Sequence, residues 1–189
     1  MSRATIPVLA ALILLSCGHP LIDAADREAT VAWKDLTQAY RAEAAIAAAF
    51  AERLREAAPA EHVAVGTLTQ AAEELSLAER VAPTDPEAVQ DLERRHRIIE
   101  AQSKQVEHHR RKYPALGNDA DFTGAARLLE ETCRGTAAVL DRYNEAAIAY
   151  NRALRTFPES VINNMFLKRD TRAVLRLDRG QNARPARSP

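Results

Sequence analysis

The side chains with the most chemical potential in this chain of 189 residues are its five histidines, its two cysteines and the carboxylates near them. One Glu-x-x-His step, Glu93-Arg94-Arg95-His96, sets a carboxylate and an imidazole one helical turn apart on a single face. A second carboxylate, Glu43, falls on the inward stripe of an earlier helix. A di-metal carboxylate centre in a helical bundle needs two such steps on separate helices and two further inward glutamates. No other histidine has a glutamate three residues before it, so half the ligand set is missing and His96 reads as a satisfied core or boundary histidine. His108 and His109 are adjacent, hence about 100° apart on a helix and poorly placed to share one ion. With Arg110, Arg111 and Lys112, and with Arg94, Arg95 and Arg97 some turns earlier, they suggest a basic stripe. No aromatics interleave with it to stack on bases, so it reads as a solvated helix face rather than a nucleic-acid surface. Cys133 lies on an apolar stripe and is expected to pack as a small hydrophobe. Tyr143 and Tyr150 share that stripe, as core residues whose hydroxyls reach polar partners or the bundle edge. Asn144 and Asn151 lie beside it, able to pair across helices or to meet a partner. No His-Glu-x-x-His, Gly-x-Ser-x-Gly, dinucleotide or phosphate-loop motif occurs. The residues therefore lead us to expect no enzyme, no catalytic residue, no metal ligand, no cofactor and no evident small-molecule substrate.

The elements that must carry these groups are helical. The chain is 47% hydrophobic but only 5% aromatic, and Ala with the helix-forming charged residues dominates over the β-branched types that suit a pleated sheet. Lys+Arg and Asp+Glu are both 26, which removes global charge as an argument for nucleic acid. Trp33, Leu36, Tyr40, Ala47, Phe50 and Leu54 recur at spacings of three and four with no Gly or Pro between, predicting one long helix that Pro59 ends. Val65, Leu68, Ala72 and Leu75 make a shorter second stripe. Asp85 and Pro86 then supply an N-cap and a first-turn proline for a third helix, whose stripe runs Val89, Leu92, His96, Ile99, Ser103, Val106, Arg110, Tyr113. The last stripe is the most regular: Phe122, Ala126, Leu129, Cys133, Thr136, Leu140, Tyr143, Ala147, Tyr150, Leu154 and Phe157. Two long helices, first and last, with two shorter ones and brief connections predict an all-α fold, an elongated antiparallel four-helix bundle with coiled-coil-like packing. Residues 168–189 hold seven Lys/Arg against Asp170 and Asp178, with Pro185 and Pro189, and read as a basic, solvated and disordered tail.

The N-terminus reads as an address. Met1-Ser2-Arg3 precedes an apolar run that ends at Ser16-Cys17-Gly18, too short for the roughly 20 apolar residues of a bilayer-spanning helix. Leu14-Leu15-Ser16-Cys17 resembles the bacterial lipobox, in which the cysteine is acylated and becomes the first mature residue. Cys17 is accordingly the expected lipidation site, residues 1–16 a signal peptide, and the mature chain an extracytoplasmic protein anchored to a membrane, on the periplasmic face in a Gram-negative cell. An uncleaved or otherwise cleaved signal is the alternative.

Three stretches carry a family resemblance: the Trp33 helix directly after the targeting segment, Tyr113-Pro114-Ala115-Leu116 followed by Phe122, and Arg142-Tyr143-Asn144-Glu145 with Tyr150-Asn151 and Phe157-Pro158. The chain resembles the LemA family, whose pattern is a Trp-bearing first helix, a Tyr-Pro-x-Leu connection, a Tyr-Asn-x5-Tyr-Asn repeat on the last helix and a closing Phe-Pro. It departs from that pattern after Trp33, where Ala42-Glu43 and Ile46-Ala47-Ala48-Ala49-Phe50 let the helix run straight through. It departs again at Ala126 and Cys133-Arg134-Gly135, where polar residues are usual, and it is therefore similar to a divergent member. The resemblance implies a membrane-anchored bundle over residues 17–167 and supplies no settled activity. The expected role is a non-catalytic scaffold or adaptor that binds other proteins of the bacterial cell envelope. The alternatives are a metal-binding bundle enzyme and a module that binds the envelope or a lipid surface.

Overall fold

The computed structural model describes residues 20–156 and 158–175. The signal segment 1–16, Cys17, Phe157 and residues 176–189 lie outside the described residues. Within them the chain is helical and contains no strand. Helix α1 spans Pro20–Ala57 and, after a 3₁₀ turn at Pro59–Glu61, α2 spans His62–Ser76. A second 3₁₀ turn at Ala78–Arg80 leads to α3, Pro86–Ser103, followed by the short helices α4, Val106–Lys112, and α5, Pro114–Gly117. The second long helix, α6, is Ala120–Ala153, and α7, Glu159–Ile162, passes into a π turn at Asn163–Leu167.

Local chemistry explains the boundaries. Pro59 cannot donate the bond that would continue α1. Asp85 accepts from the amides of Glu87 and Ala88, each at 3.1 Å, and Pro86 occupies the first turn of α3. Asp119 caps α6 in the same way, accepting from Asp121 at 2.9 Å and Phe122 at 3.0 Å. At about 1.5 Å per residue, the 38 residues of α1 make a rod of roughly 57 Å and the 34 of α6 one of roughly 51 Å.

These two rods run antiparallel along a shared seam. Trp33 meets Tyr143 with ring centroids 5.0 Å apart, and Phe50 meets Phe122 at 5.4 Å, so the numbering rises on one helix as it falls on the other. Beyond Trp33, Ile22 and Ala29 pack with Ala146, Tyr150 and Leu154. Every seam residue expected for α1 is buried, and so is every one expected for α6 within the described residues. Each fully buried Leu or Phe contributes about 1.5–3 kcal/mol, with about 0.5–1.5 kcal/mol more for each aromatic pair. Leu68, Ala71, Ala72 and Leu75 of α2, and Val89, Leu92 and Ile99 of α3, close the same core over the half of α1 nearer its C-terminus.

Two expectations are corrected. The third helix does not run unbroken to Tyr113. The Gln105 amide bonds back three residues, to the Gln102 carbonyl at 3.0 Å, so the turn tightens there and α4 starts afresh. Second, residues 168–175 are not a solvated tail: Leu175 is 2% exposed and sits in the main core.

Candidate functional site: an asparagine clamp and a buried polar cluster

The Tyr-Asn repeat of α6 holds down the C-terminal segment. Lys168, in the left-handed region with φ 48°, turns the chain out of the π turn, and residues 169–175 run back along the α1–α6 pair. Three asparagine side chains then grip it with both ends of their amides. Asn163 Oδ1 accepts from the Arg169 amide at 2.9 Å while its Nδ2 donates to the Arg169 carbonyl at 3.3 Å. Asn151 does the same to Arg172, at 2.8 Å for both bonds, and Asn144 to Leu175, at 2.9 and 3.0 Å. Each amide thus stands in for the edge of a neighbouring strand. The spacing follows from geometry: seven helical residues advance about 10.5 Å, and three extended residues cover about 10 Å. Asn144 and Asn151, one heptad apart, therefore fall in step with Leu175 and Arg172.

Further contacts fix the segment's register. The Tyr143 hydroxyl donates to the Ala173 carbonyl at 2.9 Å, and the Ala173 amide donates to the Pro83 carbonyl at 2.8 Å. Arg172 donates to Asp26 and Thr30, each at 2.8 Å, with its guanidinium 5.1 Å from the centre of the Tyr150 ring. Arg169 pairs with Asp23 at 2.9 Å. The cationic tail thus lies against the acidic side of the first turns of α1. The sequence reading placed Tyr143 and Tyr150 in the core, which the structure shares, but left the asparagines' partners open. The backbone of residues 169–175 is that partner, and the heptad spacing of two buried or half-buried asparagines was the signal for it.

A separate polar cluster lies inside the core. Glu43, fully buried, receives His96 Nδ1 at 2.8 and 2.9 Å to its two oxygens. Glu93, one turn before His96, turns instead to Arg97, whose Nε donates to it at 3.0 Å. The three residues of the metal idea thus divide between two separate pairs, Glu43 with His96 and Glu93 with Arg97. Among the described residues no group of three or more His, Cys, Asp or Glu side chains could hold a metal ion. Tyr40 packs 5.9 Å from the His96 ring, centroid to centroid, and its buried hydroxyl has no partner among the described residues. Burial, with Glu43 and Glu93 nearby, drives its ionisation well above the ordinary phenol range. Burial likewise pushes the Cys133 thiol up to about 12, so it carries no thiolate for redox or nucleophilic work at neutral pH.

The basic stripe is not a free cationic surface. Arg94 pairs with Asp91 at 2.8 Å, Arg95 with Glu74 and Arg97 with Glu93, while Arg110 and Arg111 lie 3.9 and 3.8 Å from Glu107. Lys112 reaches Glu61 at 2.6 Å, and Tyr113 donates to the same carboxylate at 3.0 Å. These two hydrogen bonds hold the Glu61 carboxyl below its usual range. His109 turns inward, 3% exposed, with neither ring nitrogen hydrogen-bonded among the described residues, and burial lowers its pKa.

Cys17, the expected lipidation site, lies outside the described residues. No helix among the described residues is long and apolar enough to cross a membrane. No curated protein and no solved structure matches the chain. Residues 32–186, from the helix that carries Trp33 through the clamped segment, match the sequence profile of the LemA family, and the chain belongs to that family.

Proposed function

We propose that this LemA-family protein is a non-catalytic scaffold or adaptor of the bacterial cell envelope. In this reading it is an elongated antiparallel four-helix bundle held at the membrane by lipid on Cys17, with its helix faces binding other envelope proteins. The observation that carries the non-catalytic reading is the clamp. The Tyr143-Asn144 and Tyr150-Asn151 pairs, the most distinctive polar groups of α6, face the chain's own backbone and Arg172 rather than converging on a cleft. Inside the core Glu43 is hydrogen-bonded to His96, and the buried Glu93 pairs with Arg97. The anchor reading rests on the lipobox-like segment and on position: Cys17 lies three residues before Pro20, where α1 begins. A lipid there is followed almost at once by a stiff helix, which holds the body close to the bilayer surface.

The test is intact mass and membrane fractionation of the full chain and of Cys17→Ala, expressed in a bacterial host. The expected result is a wild type shortened to begin at residue 17, acylated and membrane-bound, with the variant unacylated. A wild type that keeps an unmodified N-terminus overturns the anchor. Stoichiometric metal in the purified protein overturns the non-catalytic reading.

A further inference from the structure

The C-terminal segment covers one side of the α1–α6 pair, touching Asp23, Asp26 and Thr30 on α1. The opposite side is an open groove of about 690 Å³, floored by Ala32, Ala146 and Ala149 and rimmed by Arg27, Glu28, Asp35, Arg142 and Glu145. On its α1 wall stands Val31, 59% exposed. Around Val31 the exposed residues of α1 follow a charge palindrome: Arg27 and Asp35 are equidistant from it, and so are Glu28 and Lys34. On a helix of 100° per residue all four fall within about 60° of Val31, so they form one stripe.

Several exposed charges elsewhere on the helices find partners three or four residues away, as in Arg53–Glu56, Lys104–Glu100, Arg127–Glu131 and Arg134–Glu130. The four charges flanking Val31 form no ion pair among the described residues. Arg27 and Asp35 are eight residues apart and Glu28 and Lys34 six, beyond the three- and four-residue spacing at which side chains meet on one helix.

We propose that this face is an isologous interface with a second copy of the chain, in which the two α1 helices cross antiparallel at Val31. A two-fold axis through Val31 brings Arg27 to Asp35 of the other copy and Glu28 to its Lys34, each pair occurring twice. A parallel crossing would instead stack Arg27 on Arg27 and Asp35 on Asp35, so the charge order selects the antiparallel one. Val31 meets its own copy at the axis.

The test is cross-linking of the full chain in expressing cells, using Val31→Cys and a short bis-maleimide linker. Val63→Cys, at a 70% exposed position on α2, is the control. Val31→Cys is expected to give a covalent dimer well above the control and above the wild type, which carries only Cys17 and Cys133. Adding R27E replaces two attractions with two repulsions and is expected to lower the yield about tenfold. Adding D35R to that variant restores the palindrome with reversed signs and is expected to restore the dimer. A yield at position 31 no higher than the control, insensitivity to R27E, or failure of D35R to restore it each overturns the proposal. None of these outcomes depends on whether the envelope-scaffold reading holds.

Discussion

Asn144→Ala isolates what the clamp contributes. Asn144 is 8% exposed and Leu175 2%, so the variant strands the Leu175 amide and carbonyl in a site that water reaches poorly. Two lost hydrogen bonds, at about 0.5–1.5 kcal/mol each and more where a buried group stays unsatisfied, give about 2–4 kcal/mol if the segment stays in place. The segment can instead detach, forfeiting the burial of Leu175, about 1.5–3 kcal/mol, and the Arg172 contacts with it. The loss is therefore capped by the docking free energy of residues 169–175. Amide hydrogen exchange reads this directly, because the wild-type pattern has a predicted period. The amides of Arg169, Arg172 and Leu175 bond to asparagines and that of Ala173 to Pro83, whereas those of Asp170, Thr171 and Val174 make no hydrogen bond among the described residues. Slow exchange is expected at the first four and fast exchange at the other three. Asn144→Ala is expected to speed Leu175 and Ala173 by about thirtyfold or more, matching about 2 kcal/mol, and to open the Arg172 bond to trypsin. Unchanged exchange at Leu175 in the variant, or uniform exchange across 169–175 in the wild type, refutes the clamp.

The buried Glu43–His96 hydrogen bond and the buried His109 give two further tests. Glu43→Ala leaves the buried His96 Nδ1 without its partner and is expected to cost about 1–3 kcal/mol in urea unfolding, while Glu43→Leu combined with His96→Leu recovers most of the loss. His109 has a folded-state pKa below its ordinary value, so the unfolded chain binds the proton more readily. Stability is therefore unaffected well above pH 6.5 and falls as pH drops through about 6.5 towards the lowered folded value. His109→Phe is expected to flatten that part of the urea-midpoint profile; an unchanged slope between pH 7 and 5 counts against a buried neutral imidazole.

Much of this fold was legible because apolar spacing in a long helix is a local property. The stripes through Trp33, Tyr40 and Phe50 and through Phe122, Leu129 and Tyr143 needed only the 3.6-residue repeat to be placed inward, and Asp85-Pro86 needed only the orphan amides of a first turn. Glu43 and His96 were both placed on inward stripes, although their 2.8 Å contact was not read from sequence. The tightened turn at Gln105 left no mark, since Ser103 and Val106 keep the helical spacing across it and no Gly or Pro intervenes.

The sequence by itself determined the helical class, the inward faces of the long helices, the Asp85 cap and the family resemblance, because each rests on periodicity or on residues close together in the chain. Only the tertiary structure decided what becomes of residues 169–175. Their arginine-rich composition resembles that of a solvated tail, and a single side chain, Leu175, is deeply buried. What holds them is side-chain amide to backbone pairing across 21 and 31 residues, with ion pairs that reach 146 residues back to Asp23 and Asp26. A backbone amide is the same group in every residue, so such pairing has no compositional mark and appears only once α1 and α6 lie side by side.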